Sequence, residues 1–507
     1  MRRRARHLVV ALVVGASILA SCTSDDGDGD GGEEASGGEQ GAAAEQPTEV
    51  DRSSRFAKED TFCEPGDEPE SPPEDVGPGI TADALNITHI RVTLEDLAGL
   101  GFAVDVGDQN DIARTYVDLI NERCGGIHGR TLELSTVEVP AIPSGGQDTS
   151  SVAQAACIEA AEDQDAVFAW STSGFGNVGI PCLTQAHDVV FMTSYTVSSE
   201  DLANGGSRLY STGLSGEQQL TYMARDLYNS GDLEGKKIGV VRPDLVPDAD
   251  IVQRGLVDVL EDELGLDVVR VDTIGCGGSN SCTDGVIPSV QGMIADGVEV
   301  LLPTLNVLSL PVYLQEMVTQ GVQPGDIAIY NSDYAAQSGD LISGKVVEFG
   351  GEAAGRLYDG TTIISAAASG SYRLPDFEPQ PFAEMCNREY QENGNPDVPY
   401  RADEEETATR YGAVAGVCSA VRMIARAVES AGPNPSREDL AAAMEGLGAV
   451  DQYSRVPGSF GEGKHTAPNS LYTVKYHFPC PDEESAEPSC VIVEGEGRDQ
   501  PVEPIRR

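Results

Sequence analysis

Short apolar runs alternate with amphipathic stretches along most of this chain, a pattern that predicts strand, helix and strand in repetition. Thr88–Val92 reads as the first strand and Leu94–Gly107 as a glycine-bearing loop. Asp111–Arg123 reads as a helix, with Ile112, Tyr116, Leu119 and Ile120 at i, i+4, i+7 and i+8. Gly125-Gly126 stops it. Thr131–Val137, the helix Ser150–Glu162 and the short apolar strand Ala166–Trp170 follow. A helix starting near Gly174 runs to His187, and Val189–Met192 is the next strand.

A second series repeats the first. Lys237–Val241, Asp267–Thr273, Val298–Leu302 and Ile327–Tyr330 read as strands. Val252, Leu256, Val259 and Leu260 mark one helix face between them, and Ile287–Ala295 and Pro311–Gln320 are further helices. Glu405–Ser430 is a long helix with Val414, Val417, Val421, Ile424 and Val428 on one stripe. Arg437–Glu445 is another helix, and Leu471–His477 with Val491–Glu494 forms a β pair. The predicted class is α/β: two doubly wound parallel-sheet lobes, joined by a multi-strand hinge, with a ligand cleft between them.

The two ends read differently. Met1–Arg6 is basic and Leu8–Ala20 is an apolar run of thirteen residues. Such a run spans about 20 Å as a helix, short of a bilayer core of roughly 30 Å. Residues 1–21 therefore read as an export signal. Leu19-Ala20-Ser21-Cys22 resembles a bacterial lipobox, which makes Cys22 the lipidated residue and anchors the chain to the outer face of the cytoplasmic membrane. Residues 22–83 read as an acidic tether rich in Gly and Pro. The expected division is 84–213 plus 360–455 for lobe 1, 214–359 plus 456–495 for lobe 2, and 496–507 as a tail.

The net charge is −50. Residues 23–83 hold nineteen acids and three bases, so the body from Ala84 still carries about −38. That surface repels phosphates and excludes nucleic acid as the default partner. There are eleven cysteines. With Cys22 set aside the remainder is even, which suits disulfides in an exported chain. Cys276–Cys282 and Cys480–Cys490 are nearly forced by their short loops. Cys157–Cys182 and Cys386–Cys418 join successive predicted helices, and Cys63–Cys124 remains. No paired metal-ligand spacing occurs, so neither metal nor cofactor is expected.

Ligands of open α/β sheets sit at the carboxyl ends of the strands. Two neighbouring ends here carry hydroxyls: Ser171-Thr172-Ser173, beside a helix start, and Ser194-Tyr195-Thr196. A helix N-terminus favours an anion, so a carboxylate is the expected ligand group. Trp170 is placed near the cleft mouth, and the strand Ile327–Tyr330 leads to Asp333 and Tyr334. Gly174-Phe-Gly176-Asn-Val-Gly179 matches a dinucleotide fingerprint, but no acid ends the next strand. An NAD-dependent enzyme is the remote alternative. No His-Glu-x-x-His or Gly-x-Ser-x-Gly motif occurs, and the chain reads as non-enzymatic.

Ile120-Asn121-Glu122-Arg123-Cys124-Gly125-Gly126-Ile127-His128-Gly129-Arg130 resembles a signature of the branched-chain amino-acid (Leu/Ile/Val) binding proteins of ABC importers, with one extra residue, Cys124. The Tyr411–Gly432 helix is similar to a late helix of that family, and the likeness runs from about Ile87 to Phe478. The loop Leu97–Gly101 departs from the family form, and Ser369–Gln380 and Gln391–Glu406 look like insertions. The resemblance implies a type 1 periplasmic-binding fold and capture of an amino acid or related carboxylate for an ABC permease. It places the ligand carboxylate at the two hydroxyl clusters and the ligand ammonium at Asp333. A ligand-sensing module for a membrane receptor or kinase is the alternative on the same fold.

Overall fold

One strand order occurs twice in this protein. The computed structural model describes residues 49–499 except 68–71, 96–104, 142–147, 172–174, 176–177, 246, 278–280, 404, 454, 483–484 and 486. The signal segment, Cys22, Thr172 and Ser173 thus lie outside the described residues. The first sheet comprises β1 (Ala84–Thr93), β2 (Thr131–Pro140), β3 (Phe168–Ser171), β4 (Val190–Thr193) and β5 (Leu209–Ser211). Their order is β2-β1-β3-β4-β5, all parallel. The second comprises β6 (Ile238–Pro243), β7 (Val268–Ile274), β8 (Val300–Pro303), β9 (Ala328–Ser332) and β10 (Thr362–Ser365). They run in parallel in the matching order β7-β6-β8-β9-β10. The pair β11 (Gly448–Val450) and β12 (Gly458–Phe460) stands apart. The late strands β13 (Ser470–His477) and β14 (Cys490–Asp499) extend the second sheet antiparallel beyond β10.

Helices cover both faces of each sheet, because strands buried on two sides need two apolar layers. On one face of the first sheet lie α1 (Gln109–Asp118) and the late helices α10 (Pro381–Asn393), α11 (Glu405–Ala431) and α12 (Arg437–Glu445). On the other lie α2 (Thr149–Ile158), α3 (Gly179–Pro181, continued by a wider turn to Ala186) and α4 (Ser199–Gly205). The second sheet packs α5 (Gly216–Ser230) and α6 (Asp248–Val252) on one face. It packs α7 (Val286–Asp296), α8 (Leu310–Thr319) and α9 (Asp340–Tyr358) on the other. Within α11, Thr407–Ala431 is long and apolar enough to cross a membrane, yet 78% of its most apolar window is buried in the fold. It is the core helix of the first lobe.

The chain crosses between the sheets three times. Thr212–Ser215 leads from β5 to α5, residues 366–380 lead from β10 to α10, and 467–469 lead into β13. The last crossing begins beside β5: Ser211 bridges Thr466 in parallel, and the Ala467 N–H donates to the Ser211 carbonyl at 2.9 Å. Since β10 belongs to the second sheet, the return to the first lobe begins after Ser365 rather than at residue 360. At the far end, β14 runs to Asp499, into the expected tail.

The tether also ends earlier than its composition predicts. Phe56 and Phe62 are fully buried in the first core, and Cys63 is bonded to Cys124. Arg55 donates to the Cys124 and Gly126 carbonyls and pairs with Glu429 at 2.6 Å. Arg422, buried in α11, donates to the Phe56 and Lys58 carbonyls. Two buried aromatics contribute roughly 1.5–3 kcal/mol each, enough to order a segment whose average composition is polar. The structure also joins Cys157–Cys182, Cys276–Cys282, Cys386–Cys418 and Cys480–Cys490.

Candidate functional site

The carboxyl ends of both parallel sheets supply the candidate residues. On the first sheet, Ser171 ends β3 and is buried, and its carbonyl accepts from the Ser194 N–H at 3.2 Å. The β3 end stands beside β1, where the strand order reverses and such sheets leave a crevice. Thr193 ends β4, and its hydroxyl accepts from the Tyr195 N–H at 3.0 Å, which turns Tyr195 outward. The Thr196 hydroxyl accepts from the Gln219 amide at 3.2 Å.

Tyr195 is 54% exposed. Its phenol pKa is nevertheless raised, by desolvation first and by the charge of Asp248 second. Tyr195 thus reaches water while lying in the field of Asp248. Asp248 opens α6, past the end of β6 in the second sheet. Its carboxylate accepts from the buried Tyr334 hydroxyl at 2.7 Å. Burial raises the pKa of Asp248, and the Tyr334 hydrogen bond opposes that rise. Tyr334 is held protonated by burial, then by Asp248, with Tyr195 adding to the effect.

Asp333 follows β9 and is turned into its own lobe. One oxygen accepts from the Ser338 hydroxyl. The other accepts from the Ser365 hydroxyl and the Ala366 N–H, both at 2.8 Å. The charge of Asp333 helps to keep Arg455, from the loop between β11 and β12, protonated against burial. Arg455 Nη1 donates to the Thr212 carbonyl, and the Arg455 carbonyl accepts from the Gln380 amide. Thr212 begins the first crossing and Gln380 ends the second, so Arg455 sits at the hinge.

Thus Ser194, Tyr195 and Thr196 come together on the first sheet, and Asp333 and Tyr334 on the second. Trp170 does not join them at a cleft mouth. It is 1% exposed, in the layer between the first sheet and α11, because its place on β3 points it to the helix face. Thr172 and Ser173 fall outside the described residues. Arg455 and Asp248 are the residues that sequence reasoning missed. Asp248 had a signal: it follows a predicted strand of the second series, as Asp333 does. Arg455 had none, since it lies in a loop far along the chain from its partners.

The glycine fingerprint has a packing explanation at its described end. A Cβ on Gly179 would come within 2.2 Å of the Phe175 ring, which is 2% exposed and packs edge-on to Phe191. Gly174 and Gly176 lie outside the described residues. Cys157, Cys182 and His187 are close enough to suggest a metal site, but the two thiols are joined in a disulfide.

Residues 94–478 match the family model described as periplasmic binding protein. The chain belongs to this family. As a periplasmic binding protein it is exported and captures a small solute outside the cytoplasm. No curated protein matches the sequence. Solved structures share its fold at low identity. One is a solute-binding protein of an ABC transporter from R. palustris in complex with 4-hydroxybenzoate. It has 14% identity and a TM-score of 0.56, over 83% of this chain and 98% of that one. A fatty acid ABC transporter substrate-binding protein from Thermomonospora curvata has 18% identity and a TM-score of 0.54, over 84% and 94%. A branched-chain amino acid ABC transporter protein from Thermus thermophilus with bound valine has 15% identity and a TM-score of 0.54, over 82% and 97%.

Proposed function

We propose that this periplasmic binding protein takes a small carboxylate-bearing ligand between the carboxyl ends of its two sheets and presents it to an ABC permease. In this reading it performs no chemistry on the ligand. It is held at the outer face of the bacterial cytoplasmic membrane by a lipid on Cys22.

The observation that carries the reading is the relation of Tyr195 to Asp248 and Tyr334. A side chain from the end of β4 lies in the field of a carboxylate from the end of β6. A solute lodged there touches both lobes, so its binding energy favours their approach. Micromolar affinity requires about 8 kcal/mol. Two or three hydrogen bonds to a carboxylate supply roughly 1.5–3 kcal/mol each, and apolar contact with the tyrosine rings adds to them.

A thermal-shift screen of amino acids and related carboxylates tests the reading. A ligand at about a hundred times its Kd stabilises by about 2.7 kcal/mol, a clear rise in melting temperature. Tyr195→Ala is expected to abolish the shift produced by any hit. A hit whose shift survives that substitution places the ligand elsewhere.

A further inference from the structure

Arg455 combines three features that the fold alone does not require. Its Nη1 is occupied by the Thr212 carbonyl, which fixes the plane of the guanidinium. Its Nε is buried and has no hydrogen-bond partner. No hydrogen bond to Nη2 is found among the described residues. The Nε–Nη2 edge is one of the two edges of a guanidinium that match the oxygens of a carboxylate. The natural internal partner would be Asp333, whose charge supports Arg455. Yet the Asp333 oxygens already accept from Ser338, Ser365 and the Ala366 N–H, and no ion pair joins the two residues. An acid bonded mainly within its own lobe thus lends its charge to a guanidinium with an open edge.

We propose that the open edge of Arg455 receives the ligand's carboxylate side-on, and that the ligand carries no ammonium group beside that carboxylate. The proposal rests on the reading of the crevice as the ligand site, and it names the charge that reading lacked. The two halves follow from one arrangement. A carboxylate completes the donors of Arg455. An α-ammonium on the same ligand would stand close to a fixed guanidinium, beside an Asp333 with three of its about four acceptor positions already taken. The hinge position adds a consequence. Arg455 is tied to Thr212 and Gln380, at two of the three crossings, so a ligand drawn to it is linked through that residue to the connections between the lobes.

Calorimetry with matched pairs tests this on the wild-type protein. The probes are leucine against 4-methylpentanoate, and phenylalanine against 3-phenylpropanoate. We expect the deaminated member of at least one pair to bind at least tenfold more tightly than its amino acid. Arg455→Gln is expected to weaken that binding at least tenfold, with Arg455→Lys in between. Amino acids binding more tightly than their deaminated partners would overturn the proposal while leaving the crevice as the ligand site. Loss of amino-acid binding in Asp248→Asn would then assign the ammonium to Asp248. Binding of the deaminated probes that is lost in Tyr195→Ala but unchanged in Arg455→Gln would also overturn it. Absence of binding by all four probes would overturn it together with the carboxylate reading. The wild-type comparison decides the ammonium question even if Arg455→Gln does not fold.

Discussion

His89 lies nearly parallel to Trp170, with ring centroids 5.0 Å apart and an interplanar angle of 12°. The two are partners in register on β1 and β3 and are both buried beneath the helices of the first lobe. Neither imidazole nitrogen has a hydrogen-bond partner. Burial, with a smaller effect from Arg91, lowers the His89 pKa from 6.5 to about 4. The native state therefore keeps His89 neutral at a pH where the unfolded chain protonates it. Stability from this residue is present above pH 6.5 and is lost as the pH falls towards 4. The shift corresponds to roughly 3 kcal/mol. His89→Phe should remove that part of the pH dependence in denaturant melts at pH 4.5 and 7. Equal pH dependence in the two proteins would show that His89 is not the group being titrated.

The same stack sets the behaviour of Trp170. With the indole 1% exposed in the helix-facing core, ligand binding should leave its emission maximum unchanged. A red-shifted emission in the free protein, or a large ligand-dependent shift, would mean that the indole reaches solvent.

The segment ahead of β1 gives a third test. Deleting residues 23–48 should leave the melting temperature within about 2 °C, whereas Phe56→Ala should cost about 3–5 kcal/mol by the cavity it leaves. A large loss from the deletion and none from Phe56→Ala would reverse the assignment of where the folded body begins.

Lys464 tests the hinge. It is 5% exposed and donates to the carbonyls of Ser459, Thr466 and Ala467 at 2.5, 2.6 and 3.1 Å. Burial pulls its pKa down to about 7. Lys464→Met should destabilise the protein by about 2–4 kcal/mol, because buried acceptors lose their donor. It should also speed amide exchange at Ser211 and Ala467, which join the third crossing to β5. A variant as stable as wild type would show that the carbonyls find other partners.

The parallel architecture was legible because each buried strand is a short apolar run, and Ala166–Trp170 and Lys237–Val241 announce themselves. Helix α5 is also written in the chain, where Ser215 and Gln218 form a capping box. β5 is only three residues long and carries no periodicity. Trp170 was misplaced because a one-residue choice of strand face decides whether a side chain meets the cleft or the helices. The candidate positions were legible only where position after a strand is enough, as for Tyr195 and Asp333. Arg455 depends on the packing of β11 and β12 against the first lobe, and nothing local predicts it.

Hydrogen–deuterium exchange with and without a thermal-shift hit tests the central claim most directly. A solute held between the carboxyl ends of both sheets should protect amides at 193–197 on the first and at 332–336 on the second in the same sample. Protection confined to one sheet, or lying outside both edges, would contradict it.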